Sequence, residues 1–333
     1  MAIKTQIMKT SFQSNDENNF PSYHFKCSFR TQGSSTDIRR SFLNGLHLYH
    51  LKGFSSVHLV ENASTKKLYA LKRIKCHSVD DQKVAMQEIN YCKKIKHPNI
   101  IGLIDSSFKG TADIVMNATS EAFLVLPYFS LGTLHDYLAV RSFTKNYLDI
   151  KDILRLFSEI CQGVKYLHNF SPEPLAHRDL KTANVCLSEG MVPVIMDLGS
   201  CAPAKVQICG AQDAQKLQDL AAERCSMTYR APELFHVESY CVIDQRTDIW
   251  SLGCVMYALC YFKSPFDVVH ERGDSVNLAV ISGTLPLPEE GPFKENVHDF
   301  IKFMMEVNPS ERPYIDSVIE KLQVLRNEVD AIV

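Results

Sequence analysis

The chain has 333 residues, 45% of them hydrophobic and 22% charged, proportions close to those of globular proteins. A collagen-like, coiled-coil or wholly disordered protein is therefore excluded, and the length suggests two folding units or one large one. Lysine and arginine total 36 against 38 aspartate and glutamate, a net charge of −2, so no basic surplus points to nucleic acid or an anionic membrane. The 11 cysteines run from Cys27 to Cys260 without a C-x-x-C pair. That spread fits reduced thiols used as small core hydrophobes, in a cytoplasmic compartment, better than a disulfide frame or a zinc site. The longest runs free of Asp, Glu, Lys and Arg, at 122–135, 249–262 and 275–288, are 14 residues each, short of the roughly 20 that cross a membrane. No transmembrane segment is expected. The opening MAIKTQIMKT lacks a secretory apolar stretch, Ala2 stands where N-myristoylation needs glycine, and the final DAIV is not a prenylation box.

Residues 1–41 are polar, rich in Ser, Asn and Thr and with little periodicity, and they read as a mostly disordered extension. Three strands are then expected in LHLYHL (47–52), SSVHLVE (55–61) and KLYALKRI (67–74). A helix over 80–96 follows, with Ala85, Glu88, Cys92 and Ile95 on one face. Two more strands are expected in IIGLIDSSF (100–108) and EAFLVLPYF (121–129). From Thr133 the pattern turns helical, most clearly over 151–168, where Leu154, Phe157, Cys161, Val164 and Leu167 form a stripe. Further helices are expected over 212–224, 248–261, 297–306 and 314–329, and no internal repeat is present. The reading is an α+β fold in two lobes, a small strand-rich one at 42–128 and a large helical one at 129–327, with a short tail at 328–333.

One octet carries chemistry: His177-Arg178-Asp179-Leu180-Lys181-Thr182-Ala183-Asn184. Asp179 can orient a hydroxyl and accept its proton, Lys181 can reach a phosphate in transfer, and Asn184 can hold a metal ion from the other side. Beyond it, Val192–Met196 has the pattern of a buried strand, and Asp197-Leu198-Gly199 follows, an acid at a strand end suited to Mg²⁺. Upstream, Lys72 shares a strand face with Leu68, Ala70 and Ile74, and Glu88 sits on the apolar stripe of the next helix. A buried cation and a buried carboxylate each cost free energy alone and explain one another as an ion pair that holds phosphates. Ala231-Pro232-Glu233, Asp248–Gly253 and Arg312, a candidate partner for Glu233, complete the pattern.

These motifs resemble those of eukaryotic protein kinases over about residues 42–327. AERCSMTYRAPELF (222–235) and CVIDQRTDIWSLG (241–253) are more narrowly similar to the Numb-associated kinase family. The resemblance implies transfer of the ATP γ-phosphate to Ser and Thr of protein substrates, with some Tyr, using Mg²⁺, or Mn²⁺ in its place. It implies that Ser226 bonds the catalytic Asp179 and Lys181. It also implies an adenine pocket in which Val57, Ala70 and Cys186 sandwich the base, Leu126 is the gatekeeper, and Pro127, Tyr128 and Phe129 form the hinge. Peripheral contact with Golgi or other membranes is implied by resemblance alone, without a myristoylation signal; Cys27 is read as a plain thiol.

Two departures stand out. The glycine-rich phosphate loop, anchored on Val57, is degenerate: His50, Lys52 and Ser55 stand where glycines are expected, and Gly53 alone is left to let the backbone approach phosphate. This motivates an alternative, a pseudokinase or weak kinase serving as an interaction module, which the intact Lys72, Glu88, Asp179, Asn184 and Asp197 oppose. The activation segment from Asp197 to Ala231 is long and has no Ser, Thr or Tyr between Cys201 and Cys225. Helix packing by Ala214, Leu217 and Ala221, rather than a phosphate on Arg178, is expected to order it.

Overall fold

The computed structural model describes residues 8–14, 23–26, 55–62, 65–113, 118–288, 292–293 and 295–331. The strand expected at 47–52, Gly53 and Cys27 lie outside the described residues. The chain divides into two compact units, one built from the N-terminal part to Lys96 with Ile101–Ser130, the other from His97–Ile100 with the chain from Leu131 onward.

The first unit is a sheet with one long helix against it. Strands β1 (Met8–Ser14), β2 (Tyr23–Lys26), β3 (Ser55–Asn62), β4 (Leu68–Cys76), β5 (Asp105–Lys109) and β6 (Ser120–Pro127) lie in the order β2-β1-β3-β4-β6-β5. Pairing is antiparallel except between β1 and β3. β1 and β2 fall in the stretch read as an extension. Alternation along β4 divides its side chains between two faces. Leu71 joins Val60 and Val125 in a small core flanked by Tyr69 and Phe123. Register puts Val57 opposite Lys72, Leu59 opposite Ala70, and Leu126 and Leu124 opposite Ala70 and Lys72, so these residues share the other face. Helix α1 (Val79–Lys94) starts at a capping box in which Ser78 and Asp81 each accept from the other's amide. It ends before His97-Pro98, and Ala85, Glu88, Ile89 and Cys92 are its buried residues. Of the run 100–108 only its end is strand, because Ile100 bridges to Ile195 in the second unit's fold instead.

The second unit is helical. Its elements are α2 (Leu134–Thr144), α3 (Ile150–His168), β7 (Leu175–Ala176), β8 (Val185–Leu187), β9 (Pro193–Ile195), β10 (Ala202–Pro203), β11 (Val206–Cys209), α4 (Ala211–Arg224), β12 (Tyr240–Ile243), α5 (Arg246–Tyr261), α6 (Asp267–Glu271), α7 (Val276–Ile281), α8 (Glu295–Met304) and α9 (Ile315–Ala331). The α3 stripe read from sequence, Leu154, Phe157, Cys161, Val164 and Leu167, is buried. Helix α5 is buried on every side from Thr247 to Cys260, as expected of a central helix apolar all round. Trp250 stacks on Phe266, and the Phe157 and Phe300 rings meet edge to face at 5.8 Å. Gly163 is needed where α3 meets β9, the strand that leads to Asp197, since a Cβ there would lie 2.9 Å from Ile195 Cδ1 and 3.1 Å from the Asn99 carbonyl.

From Asp197 to Ile243 the chain folds on itself. β11 pairs antiparallel with β12. α4 lays Ala214, Leu217 and Ala221 against Ile208, Leu234, Val237 and Ile243 in a separate small core. The helix and its apolar contacts stand where the sequence composition predicts a helix.

Candidate active site

In the first unit, Lys72 Nζ donates to Glu88 Oε1 at 2.7 Å, both side chains being buried. The strand and helix that carry them are joined by a short turn whose cap, Ser78, fixes the start of α1, and Glu88 then falls on the inner face by helical periodicity. Val57, Ala70 and Leu126 sit on the same sheet face as Lys72. Leu126 is buried, Val57 and Ala70 are half-buried, and Pro127, Tyr128 and Phe129 leave the sheet edge half-buried.

In the second unit, Asp179 is the centre of a hydrogen-bonded ring. Its Oδ1 accepts from the Ser226 amide at 2.8 Å. Its Oδ2 accepts from Lys181 Nζ at 2.9 Å and from Asn184 Nδ2 at 3.0 Å. Lys181 Nζ also donates to Ser226 Oγ at 2.7 Å, and Asn184 Nδ2 to the Asp179 carbonyl at 2.8 Å. The structure thus brings together Asp179, Lys181, Asn184 and Ser226, which are up to 47 positions apart. Asp197 follows β9 in a left-handed conformation, φ 62° and ψ 70°, a backbone state uncommon outside glycine and costly unless its surroundings hold it. The Met196 amide before it donates to the Asn184 carbonyl at 2.9 Å, and the Met196 carbonyl meets His177 Nε2 at 3.1 Å. These bonds lash the strand end to the loop. Leu198 is buried behind Asp197. Cys186 lies on β8, half-buried, with its Sγ 3.0 Å from Met196 Sδ; burial, with Asp136 adding, pushes its thiol up to about 12.

The loop is held from behind by a residue that sequence reading named only as part of a motif. Asp248 Oδ2 accepts from the His177 amide at 2.7 Å and meets His168 Nε2 at 3.0 Å, while Oδ1 accepts from the Arg178 amide at 2.8 Å. Burial alone would raise this carboxyl, but the hydrogen bond and charge of His168, the charge of His177 and the Arg178 amide outweigh it and hold the pKa below the usual carboxylate range. A signal existed in the sequence: Asp248 stands directly before the charge-free run 249–262. His168 and Arg230 were not singled out. Arg178, in left-handed backbone at φ 64°, donates Nη2 to the Pro203 carbonyl at 3.0 Å. Arg312 pairs with Glu233 through two bonds of 2.7 and 2.9 Å.

Residues 53–322 match the family model for the protein kinase domain. The chain belongs to the protein kinase family. It is similar to serine/threonine-protein kinase 16 of Rattus norvegicus, 42% identical over 274 residues that cover 82% of this chain and 87% of that one. The Homo sapiens protein of the same name is 41% identical with the same coverage. Serine/threonine-protein kinase ppk13 of Schizosaccharomyces pombe is 29% identical, over 83% of this chain and 88% of its own length. A protein kinase domain implies ATP, a divalent metal ion and a protein substrate.

The oxygen donors fit such an ion. Asn184 turns its amide nitrogen to Asp179, which leaves its carbonyl oxygen as the other end of the amide, and Asp197 supplies a carboxylate. This is a hard, all-oxygen set too small to cage a metal alone, the usual case for Mg²⁺ brought with a phosphate substrate. Among the described residues no group of three or more His, Cys, Asp or Glu could hold an ion unaided, and no helix is long and apolar enough to cross a membrane.

Proposed function

We infer that the chain is an active serine/threonine protein kinase of the Numb-associated group, transferring the γ-phosphate of Mg·ATP to protein hydroxyls in the cytoplasm. The ring around Asp179 carries this reading. A carboxylate fixed by three donors through its side chain is preorganised to orient a substrate hydroxyl, which is where most of the barrier lowering in phosphoryl transfer lies. Lys181 stands beside it as the cation for the phosphoryl group in flight. Lys72, steadied by Glu88, takes the α- and β-phosphates. Asn184 and Asp197 would hold Mg²⁺, which neutralises phosphate charge when bound. The sheet face shared by Val57, Ala70 and Leu126 in the first unit would take the adenine, and Pro127 to Phe129 its polar edge. Ser226 sets Asp179 and Lys181 in the manner of kinases that phosphorylate Ser and Thr. The similarity of 222–235 and 241–253 to the Numb-associated kinases, and the 42% identity to the rat kinase, support the narrower placement.

The test is transfer of labelled phosphate from Mg·ATP to a generic basic protein, followed by phosphoamino-acid analysis. Wild-type chain is expected to yield phosphoserine and phosphothreonine, and Asp197→Ala to abolish the signal. Asp179→Asn should lower kcat by roughly 10²–10⁴, the usual worth of a positioned proton acceptor. No transfer by the wild type, or equal transfer by wild type and Asp197→Ala, overturns the reading and favours a non-catalytic module.

A further inference from the structure

Arg230 is buried, 7% exposed, in the turn that follows α4. Its side chain folds back over that turn, with the guanidinium 4.8 Å above the Phe235 ring. Nη2 donates to the Cys225 carbonyl at 2.8 Å and to the Ala222 carbonyl at 3.4 Å. Those carbonyls belong to the C-terminal end of α4, where backbone acceptors lack helical partners and a cation is favoured. A buried guanidinium spent on main-chain carbonyls is costly to desolvate, so what those carbonyls do matters.

The Cys225 carbonyl and the Ser226 amide are two edges of one trans peptide plane, with the oxygen and the N–H pointing opposite ways. Arg230 holds the oxygen edge. The N–H edge donates to Asp179 Oδ1 at 2.8 Å. Rotating the plane would break both bonds together. A cation on the carbonyl also polarises the amide and makes its N–H a stronger donor. Ser226 Oγ is tied separately, through Lys181, so the amide and the hydroxyl are independent attachments of the same residue to the catalytic loop.

We propose that Arg230 is a positioning residue for phosphoryl transfer: by fixing the Cys225–Ser226 peptide plane it aims the Ser226 amide at Asp179 and locks that carboxylate's orientation. The inference rests on the reading of Asp179 as the group that orients the substrate hydroxyl.

A double-mutant cycle tests it. Arg230→Met keeps the aliphatic body over Phe235 and removes the donors. It should lower kcat about tenfold with KM for ATP within about twofold, the pattern of a loss felt in the transition state. Arg230→Lys, which keeps a cation and a donor, should recover kcat to within about threefold of wild type. Ser226→Pro removes the amide donor in a backbone that suits it, with Ser226 at φ −64° and Cys225 extended at ψ 130°. In that background Arg230→Met should cost no more than about twofold further, whereas in Ser226→Ala, which keeps the amide, the tenfold cost should persist. A wild-type kcat for Arg230→Met, or the same loss in both Ser226 backgrounds, overturns the proposal. Should Arg230→Met not fold, Ser226→Pro decides by itself: a kcat equal to that of Ser226→Ala means the amide is idle and Arg230 has nothing to position. An inactive wild-type chain takes down the kinase reading and this one with it, while an active wild type with an indifferent Arg230 takes down this one alone.

Discussion

Asp248 shows how one buried side chain makes a loop geometry affordable. It accepts the amides of His177 and Arg178 and meets His168, so the chain can pass through the left-handed backbone of Arg178 without leaving polar groups unpaired. Its carboxyl is held below the ordinary value. A depressed native pKa contributes stability that is present above the unfolded value, about 3.9, and is lost as pH falls through the native one. Asp248→Asn is therefore expected to cost about 3 kcal/mol at neutral pH, and the gap to wild type should narrow as pH is lowered from about 5 toward 3. Guanidinium unfolding midpoints measured across that range check it; parallel curves for the two proteins would dismiss the charge of Asp248 as the source. Residues of this kind are harder to read than Asp179 or Lys72. The reactive residues announce themselves by type and spacing. Asp248 works through backbone amides that every residue possesses, and Arg230 grips carbonyls that carry no sequence signature at all.

Among the elements, long helices were the most legible, because an apolar stripe repeats enough times to fix both period and face: α3 and α4 lie where their stripes predict. Two-residue strands such as β7 and β10 have no period to detect and exist only through their partners, Ala176 with Ala202 and Leu175 with Pro203. The β11–β12 ribbon has only four residues on each strand, too short a run for its alternation to stand out in the sequence. Strand β1 stands in polar sequence with little periodicity, and the alternation of Tyr23-His24-Phe25-Lys26 in β2 runs over only four residues. The α4 element carries a prediction of its own. Its core of Ile208, Ala214, Leu217, Ala221 and Leu234 packs the segment against the fold, and Arg178 donates to the Pro203 carbonyl; on that packing the segment is expected to need no phosphate. Protein co-expressed with a phosphatase should keep kcat within about twofold of untreated protein, while Leu217→Ala, which removes packing worth about 2 kcal/mol, should lower kcat and speed proteolysis inside 205–225. Mass spectrometry of the intact chain alongside the rate decides; strict dependence of activity on a phosphate at Ser200 would refute packing as the ordering force.

At the scale of the molecule, the distribution of chemistry follows from burial. The lobes were legible as a change from strand-like to helical texture, and the placement of His97–Ile100 with the helical unit was not, since that short run owes its place to the bond from Asn99 Nδ2 to the Pro193 carbonyl and to the Ile100–Ile195 bridge. Within the helical unit one side chain joins three distant stretches. Arg312 is bidentate to Glu233, donates to the Arg246 carbonyl at the start of α5 at 3.0 Å, and donates Nε to the Glu306 carbonyl after α8 at 2.8 Å. Its guanidinium also lies 5.3 Å from the Trp250 ring. Its side chain is 0% exposed and that of Glu233 10%, so water cannot replace a lost partner. Arg312→Met should cost about 3–5 kcal/mol, because it strands a buried carboxylate. Adding Glu233→Gln should return part of that loss, since the second change removes the stranded charge, and the sum of the single effects should exceed the double. Arg312→Lys should not rescue, for a point charge cannot reproduce the fork that meets two carboxylate oxygens and the carbonyls of Arg246, Glu306 and Val307 at once. Urea unfolding of the four variants measures the coupling; strict additivity would mean that Arg312 serves as buried volume and that the end of the activation segment is held by other means.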